Sequence, residues 1–299
     1  MRWKTWSAER LGIALAVLSA LGFSCKAIFV KLAYLAAPVD AVTLLSLRMT
    51  LSLPFFVWMS FATTRSAPAL TRRDWLALFA LGLLGYYAAS LFDFLGLQYI
   101  SAALERLILF TYPTLTLLLG VCFLGHRLTR REVWALVLSY AGISLAFAHD
   151  IQFAGERSSV LLGAAFVLAS SFCYALYLAG STTVIARLGA ARFTALAMLV
   201  STAATQLHFF STHPASDLVQ PATIYLLGAA MAVFSTVLPV FWQSAAIPRI
   251  GAARVALVGT LGPVLTIALG YGFLDETVSA SQILGAALVL LGVWQVGRK

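Results

Sequence analysis

Ten times along this 299-residue chain an apolar run of roughly bilayer-crossing length recurs, and about 20 such residues are what a helix needs to cross the hydrocarbon of a membrane. The runs fall near residues 11–36, 41–62, 75–97, 102–124 and 133–148, then 160–185, 193–210, 223–247, 252–274 and 282–296. Sixty-one per cent of the chain is apolar and only 10% charged, with mean hydropathy +0.93, against the roughly one-quarter charged residues of an ordinary soluble domain. The reading is an all-α polytopic membrane protein with ten transmembrane helices. The first run is too long for the apolar stretch of a cleaved leader and is counted as a span.

Charge reaches the loops in alternation. Fifteen of the 20 lysines and arginines fall at one set of connections: Arg2, Lys4 and Arg10, then Arg65, Arg72 and Arg73, and so on to Arg298 and Lys299. The opposite connections hold only Arg157. By the positive-inside rule both termini are cytoplasmic. Five of the seven tryptophans, Trp3, Trp6, Trp75, Trp134 and Trp294, sit at the same basic ends, where an interfacial belt belongs. The net charge of +9 is thus a topology signal, and no nucleic-acid partner is inferred. Cys25, Cys122 and Cys173 lie within apolar runs at no metal-ligand spacing, so neither disulfide framework, metal nor cofactor is expected.

The chain also repeats itself. Shifted by 150 residues, 100–143 aligns without a gap on 250–293 with 13 identities in 44 positions, pairing Pro113 with Pro263, Gly120 with Gly270, Phe123 with Phe273 and Gly142 with Gly292. Five spans fall in residues 1–149 and five in 150–299, and an odd number forces the second copy to enter the membrane inverted. Inverted repeats are a recurrent device of secondary transporters, which exchange conformations between two related halves.

Two stretches, GLQYISAALERLILFTYPTLTLLLGVCFLGHRLTRREVWALVLSYAGISL and RIGAARVALVGTLGPVLTIALGYGFLDETVSASQILGAALVLLGV, resemble the repeated pattern of the drug/metabolite transporter superfamily, in its ten-helix EamA-type branch. Small residues enter a helix, a mid-helix proline follows, and an acidic turn with a hydroxyl residue precedes a glycine-containing last helix. The second copy keeps the turn glutamate as Glu276, whereas the first has His126. The resemblance implies export of small metabolites, often amino acids, across a bacterial inner membrane.

Charge inside a span is costly and marks a lined cavity or a paired contact. Lys26, Lys31, Arg48, Asp93, Glu105 and Arg106 are all in the first half. Lys31, Glu105 and Arg106 lie near the outer ends of their runs, within snorkelling reach of the interface, and Arg48 stands where it could neutralise Asp93. Tyr86, Ser90 and Asp93 share a helix face at i, i+4 and i+7; the 150-residue shift places Thr236 and Gln243 at the corresponding positions of the eighth run. Ser170, Tyr174, Tyr177 and Ser181 form a second stripe, which a shift of 151 matches to Ser19, Phe23 and Lys26. Hydroxyl and aromatic stripes also serve ordinary helix packing in lipid. Pro113, Pro239 and Pro263 interrupt spans and permit bends.

The substrate-binding set read from these stripes is Lys26, Tyr86, Ser90, Asp93, Ser170, Tyr174, Tyr177, Thr236 and Gln243. Aromatic walls suit a flat or apolar body. One cation and one anion suit a zwitterion, with Lys26 toward a carboxylate and Asp93 toward an amine. The reading is therefore a carrier exporting amino acids, aromatic ones favoured, by alternating access; the alternatives are a drug or nucleotide-sugar carrier of the same fold, or a non-transporting membrane scaffold or enzyme. The sequence has no phosphate-cradling glycine loop, no nucleophile elbow and no paired carboxylates on one helix face, so an enzyme is not favoured. Monomer and homodimer stay open.

Overall fold

Short polar residues set the helix starts. Asp40 accepts hydrogen bonds from the backbone N–H groups of Val42 and Thr43 at 2.8 and 3.0 Å, Thr71 and Asp74 form a reciprocal capping box, and Ser101 accepts from Leu104 N at 3.1 Å. Each satisfies a donor that the first turn of a helix cannot pair internally.

The computed structural model describes residues 2–65, 69–124, 129–153 and 157–297, and among these there is no strand. The helices are α1 (Arg2–Ala36), α2 (Ala41–Thr64), α3 (Arg72–Gly96), α4 (Ala102–Leu109), α5 (Tyr112–Leu124), α6 (Arg130–Phe153), α7 (Arg157–Leu188), α8 (Ala190–Thr212), α9 (Ala222–Ile250), α10 (Ala252–Gly259), α11 (Gly262–Leu274) and α12 (Ala280–Gly297). Single glycines at positive φ, Gly189 at 82° and Gly251 at 84°, turn the chain from α7 into α8 and from α9 into α10, a conformation that costs an L side chain strain.

Seven described segments are long and apolar enough to cross a membrane, and three shorter apolar helices, Leu136–Ala146, Gly262–Leu274 and Ala280–Gly292, fall in the remaining apolar stretches. The outer surface agrees: Trp58, Phe61, Leu207, Leu226 and Tyr271 are all exposed, an apolar coat that suits lipid and not water.

The 150-residue repeat is visible in the helix breaks. Arg72 and Ala222 start equivalent helices, and so do Ala102 and Ala252; Tyr112 and Gly262 resume them after equivalent interruptions. Both α3 and α9 contain a π-helical segment, Leu83–Ala88 and Val233–Val237, again 150 residues apart. Three prolines fall at or beside these irregularities. Pro113 and Pro263 are second residues of α5 and α11, where a missing N–H leaves no internal bond broken, and Pro239 is the second residue after the π segment of α9.

Packing pairs the halves crosswise. Helix α1 lies against α9 and α11, and its counterpart α7 lies against α3 and α5; α2 packs on α8, and α6 on α12. Glycine sets the closest approach: a Cβ on Gly142 would stand 2.4 Å from the carbonyl oxygen of Gly285, and one on Gly285 2.5 Å from that of Gly142. Ion pairs also join the halves, among them Asp74 of α3 with Arg187 of α7, and Glu9 of α1 with Arg254 of α10 at 2.6 Å.

Candidate functional site

The centre of the bundle is organised around α4. Every residue from Ala102 to Ile108 is buried, so this short helix is enclosed on all sides and its two charges have no path outward. Glu105 is 0% exposed and Arg106 6%. The snorkelling reading of these two residues is therefore corrected. Arg106 turns inward, donating from Nε to Thr266 Oγ1 of α11 at 3.1 Å and from Nη2 to the Phe23 carbonyl of α1 at 2.5 Å. Lys31 stays nearer the expectation, half-buried and bonded to the Ile100 carbonyl at 3.0 Å.

Lys26 and Asp93 meet directly, Nζ to Oδ2, at 2.6 Å. Asp93 is 1% exposed. The Lys26 ammonium is 4.0 Å from Glu105 Oε1, and Arg106 Nε is 4.0 Å from Glu105 Oε2; the Asp93 and Glu105 side chains lie against each other. The result is a compact group of two cations and two carboxylates drawn from α1, α3 and α4. Lys26 and Asp93 thus face each other as an ion pair, which must open before either can take a separate pole of a substrate. Asp93 takes Lys26 as its partner, where the sequence suggests Arg48; Arg48 instead donates from Nη2 to Ser90 Oγ at 3.1 Å and lies over the Phe94 ring, 5.2 Å from its centroid.

Beside the charges is an aromatic wall. Tyr86 and Tyr177 join hydroxyl to hydroxyl at 2.9 Å with ring centroids 5.2 Å apart. Tyr174 stacks on Tyr177 at 5.5 Å, and Tyr112 meets Tyr174 edge-on at 5.0 Å. Tyr112 in turn stands within the electrostatic reach of Arg106. Aromatic pairs at these separations are favourable beyond the area they bury.

The structure thus brings together Lys26, Ser90 and Asp93 with a run of rings that includes Tyr86, Tyr174 and Tyr177. The other three candidates have different surroundings. Ser170 is buried and donates to the Ala89 carbonyl at 2.6 Å; Thr236 donates to the Met231 carbonyl, five residues back, at 3.0 Å within the π segment. Gln243 is exposed on α9. Arg48, Glu105, Arg106, Tyr112 and Thr266 are absent from the set read from sequence. The available signal for Glu105 and Arg106 was two adjacent opposite charges within an apolar run, which marks a lined cavity or a paired contact.

Glu276, in the turn after α11, reaches across to the first half. Its Oε1 accepts from Ala102 N at 2.8 Å, capping α4 together with Ser101. Asp275 at φ 52° turns the chain, Glu276 N returns to the Gly270 carbonyl at 3.2 Å, and a Cβ on Gly270 would stand 2.8 Å from Glu276 Oε2. The symmetry-related His126 lies outside the described residues.

The family model of EamA-like transporters matches this chain twice, over residues 10–148 and 161–298. Among curated relatives, the uncharacterized transporter YcbK of Bacillus subtilis (strain 168) is 31% identical over 286 residues, 92% of this chain and 88% of that protein. The uncharacterized transporter YyaM of the same strain is 26% identical, covering 74% of this chain and 73% of its own. An uncharacterized transporter of Archaeoglobus fulgidus is 23% identical, covering 76% of this chain and 79% of its own. A solved crystal structure with 20% sequence identity superposes with a TM-score of 0.65, covering 97% of this chain and 96% of the other, a likeness of fold.

Proposed function

Because this chain belongs to the EamA-like transporter family, we propose that it is a secondary transporter exporting small amphipathic metabolites, amino acids and aromatic ones above all, by alternating access. The reading has ten spans as an inverted five-plus-five repeat, with halves at 1–149 and 150–299, in a bacterial inner membrane with both termini cytoplasmic. The basic loops support the orientation. The crosswise packing of equivalent helices supports an exchange between halves.

One observation carries the substrate class: a buried group of charges, Lys26 with Asp93 at 2.6 Å, adjoins the cluster of Tyr86, Tyr112, Tyr174 and Tyr177. Buried charge satisfied within protein meets the charged end of a zwitterion, and stacked phenol rings meet a flat side chain. Ser90 belongs to the polar side of this site. Ser170, Thr236 and Gln243 complete the proposed set from α7 and α9, entering only when those helices move.

Counterflow in proteoliposomes tests it. Vesicles loaded with unlabelled phenylalanine, tyrosine or tryptophan should accumulate the labelled compound above equilibrium, those loaded with leucine more weakly, and those loaded with a nucleotide sugar or a quaternary ammonium drug not at all. Counterflow of the nucleotide sugar or drug without that of any amino acid would overturn the amino acid reading.

A further inference from the structure

Arg48 is buried, 5% exposed, on α2. Its hydrogen bond from Nη2 ends on a neutral hydroxyl, Ser90 Oγ. Its Nε has no hydrogen-bond partner among the described residues, and no carboxylate there forms an ion pair with it. Asp93 acts on it across space, while its own ion pair goes to Lys26 at 2.6 Å. Around Asp93 the central charges are Lys26, Arg48 and Arg106 against Asp93 and Glu105, one cation in excess. A buried guanidinium with an unused donor is expensive, and an anion brought by a ligand would remove that cost.

The geometry points to Arg48, with Ser90, as the carboxylate-binding element of the substrate site, in place of Lys26. The face of the guanidinium is taken by Phe94 at 5.2 Å, which leaves the in-plane N–H edge to meet a carboxylate, the geometry a guanidinium fork matches. Ser90 Oγ accepts from Arg48 and keeps its own hydrogen to donate. Along α3, Tyr86 lies about one turn to one side of Ser90, roughly 5.4 Å, and Asp93 lies three residues to the other. A carboxylate held at Arg48 and Ser90 therefore sends an aromatic side chain toward the tyrosines and an α-amine toward Asp93. This assignment rests on the transporter reading.

Binding to purified, monodisperse protein tests it with three probes: phenylalanine, phenylalanine amide and 3-phenylpropionate. The wild type should bind both carboxylates more tightly than the amide. Arg48→Met should weaken the two carboxylates about tenfold to hundredfold, the cost of one charge-assisted hydrogen bond, and leave the amide unchanged; Arg48→Lys should recover part of the loss. Lys26→Met should lower all three alike, leaving the acid-to-amide ratio intact. Equal losses on all three probes in Arg48→Met, or loss of the ratio in Lys26→Met alone, overturns the assignment. If Arg48→Met does not fold, the wild type and Arg48→Lys decide: a wild type that binds the amide as tightly as the acid overturns it. Arg48-dependent binding of 3-phenylpropionate without phenylalanine would uphold the anion site and sink the amino acid reading; phenylalanine counterflow with an acid-to-amide ratio independent of Arg48 would do the reverse.

Discussion

Lys26 of α1 and Asp93 of α3 form an ion pair of 2.6 Å in which the carboxylate is almost fully enclosed, and the second carboxylate, Glu105, waits 4.0 Å from the same ammonium. The two single substitutions are therefore not equivalent. Lys26→Met leaves two adjacent carboxylates without their lysine, whereas Asp93→Asn leaves Lys26 with Glu105 beside it. Removing one partner of a buried pair costs about 3–5 kcal/mol. Lys26→Met should show the larger loss of thermal stability in detergent, and Lys26→Met/Asp93→Asn should lose less than the two single losses added. Strict additivity would mean that the pair is not formed.

The tyrosine pair is asymmetric as well. Thr194 lies beside the Tyr86 hydroxyl, while Tyr177 is joined to Tyr86 at 2.9 Å. Tyr177→Phe leaves the Tyr86 hydroxyl with Thr194 beside it, whereas Tyr86→Phe leaves the Tyr177 hydroxyl buried without Tyr86. A buried polar group left unsatisfied costs about 1–3 kcal/mol. Unfolding measurements should rank Tyr86→Phe as the more destabilising, and an equal ranking would deny the asymmetry.

Glu276 and Gly270 should behave as one unit. Glu276→Ala removes the 2.8 Å bond to Ala102 N, a capping loss of about 0.5–2 kcal/mol. Gly270→Ala brings a methyl to 2.8 Å from the same carboxylate and should displace it. With the carboxylate gone the close contact goes with it, and the Cβ of residue 276 remains at an ordinary 3.8 Å, so the double variant Gly270→Ala/Glu276→Ala should be no less stable than Glu276→Ala alone. A further loss in the double variant would place the penalty at Gly270 elsewhere.

Topology is open to a direct measurement. Fifteen basic residues at one set of connections against Arg157 at the other predict that a reporter active only in the cytoplasm gives signal when fused after Lys299 and none when inserted near Asp217. Signal at Asp217, or silence at Lys299, would end the ten-span reading.

What the sequence made legible was the long-range plan: an all-helical membrane chain, the repeat and the charges inside. Periodicity also finds Tyr86, Ser90 and Asp93, because three residues on one helix face need no knowledge of their neighbours. It cannot say that Lys26 faces Asp93, because that pairing depends on how α1 crosses α3. Glu105 and Arg106 show the same limit in reverse: counted along the chain they stand near a span end, yet α4 is enclosed by other helices and turns them inward. Arg106 finds Thr266, 160 residues away, through a contact between halves that no local pattern encodes.

The two π segments, at Leu83–Ala88 and Val233–Val237, bear on how such a chain can change in length. A π turn is an α-helix carrying one residue too many, and each residue of an α-helix accounts for about 100° of rotation. Deleting one residue from α3 would leave it long enough to cross a bilayer, so insertion, hydropathy and topology would all survive. Taken from within Leu83–Ala88, the residue is the surplus one, and the π turn closes to an α turn with the helix beyond it still in phase; taken at Ala89, it would swing everything beyond by about 100°, carrying Ser90 away from Arg48 and Asp93 away from Lys26. In these two helices a single-codon deletion is silent to the membrane wherever it falls, absorbed within the π turn and ruinous to the site beyond it, so length there is constrained by phase and not by thickness.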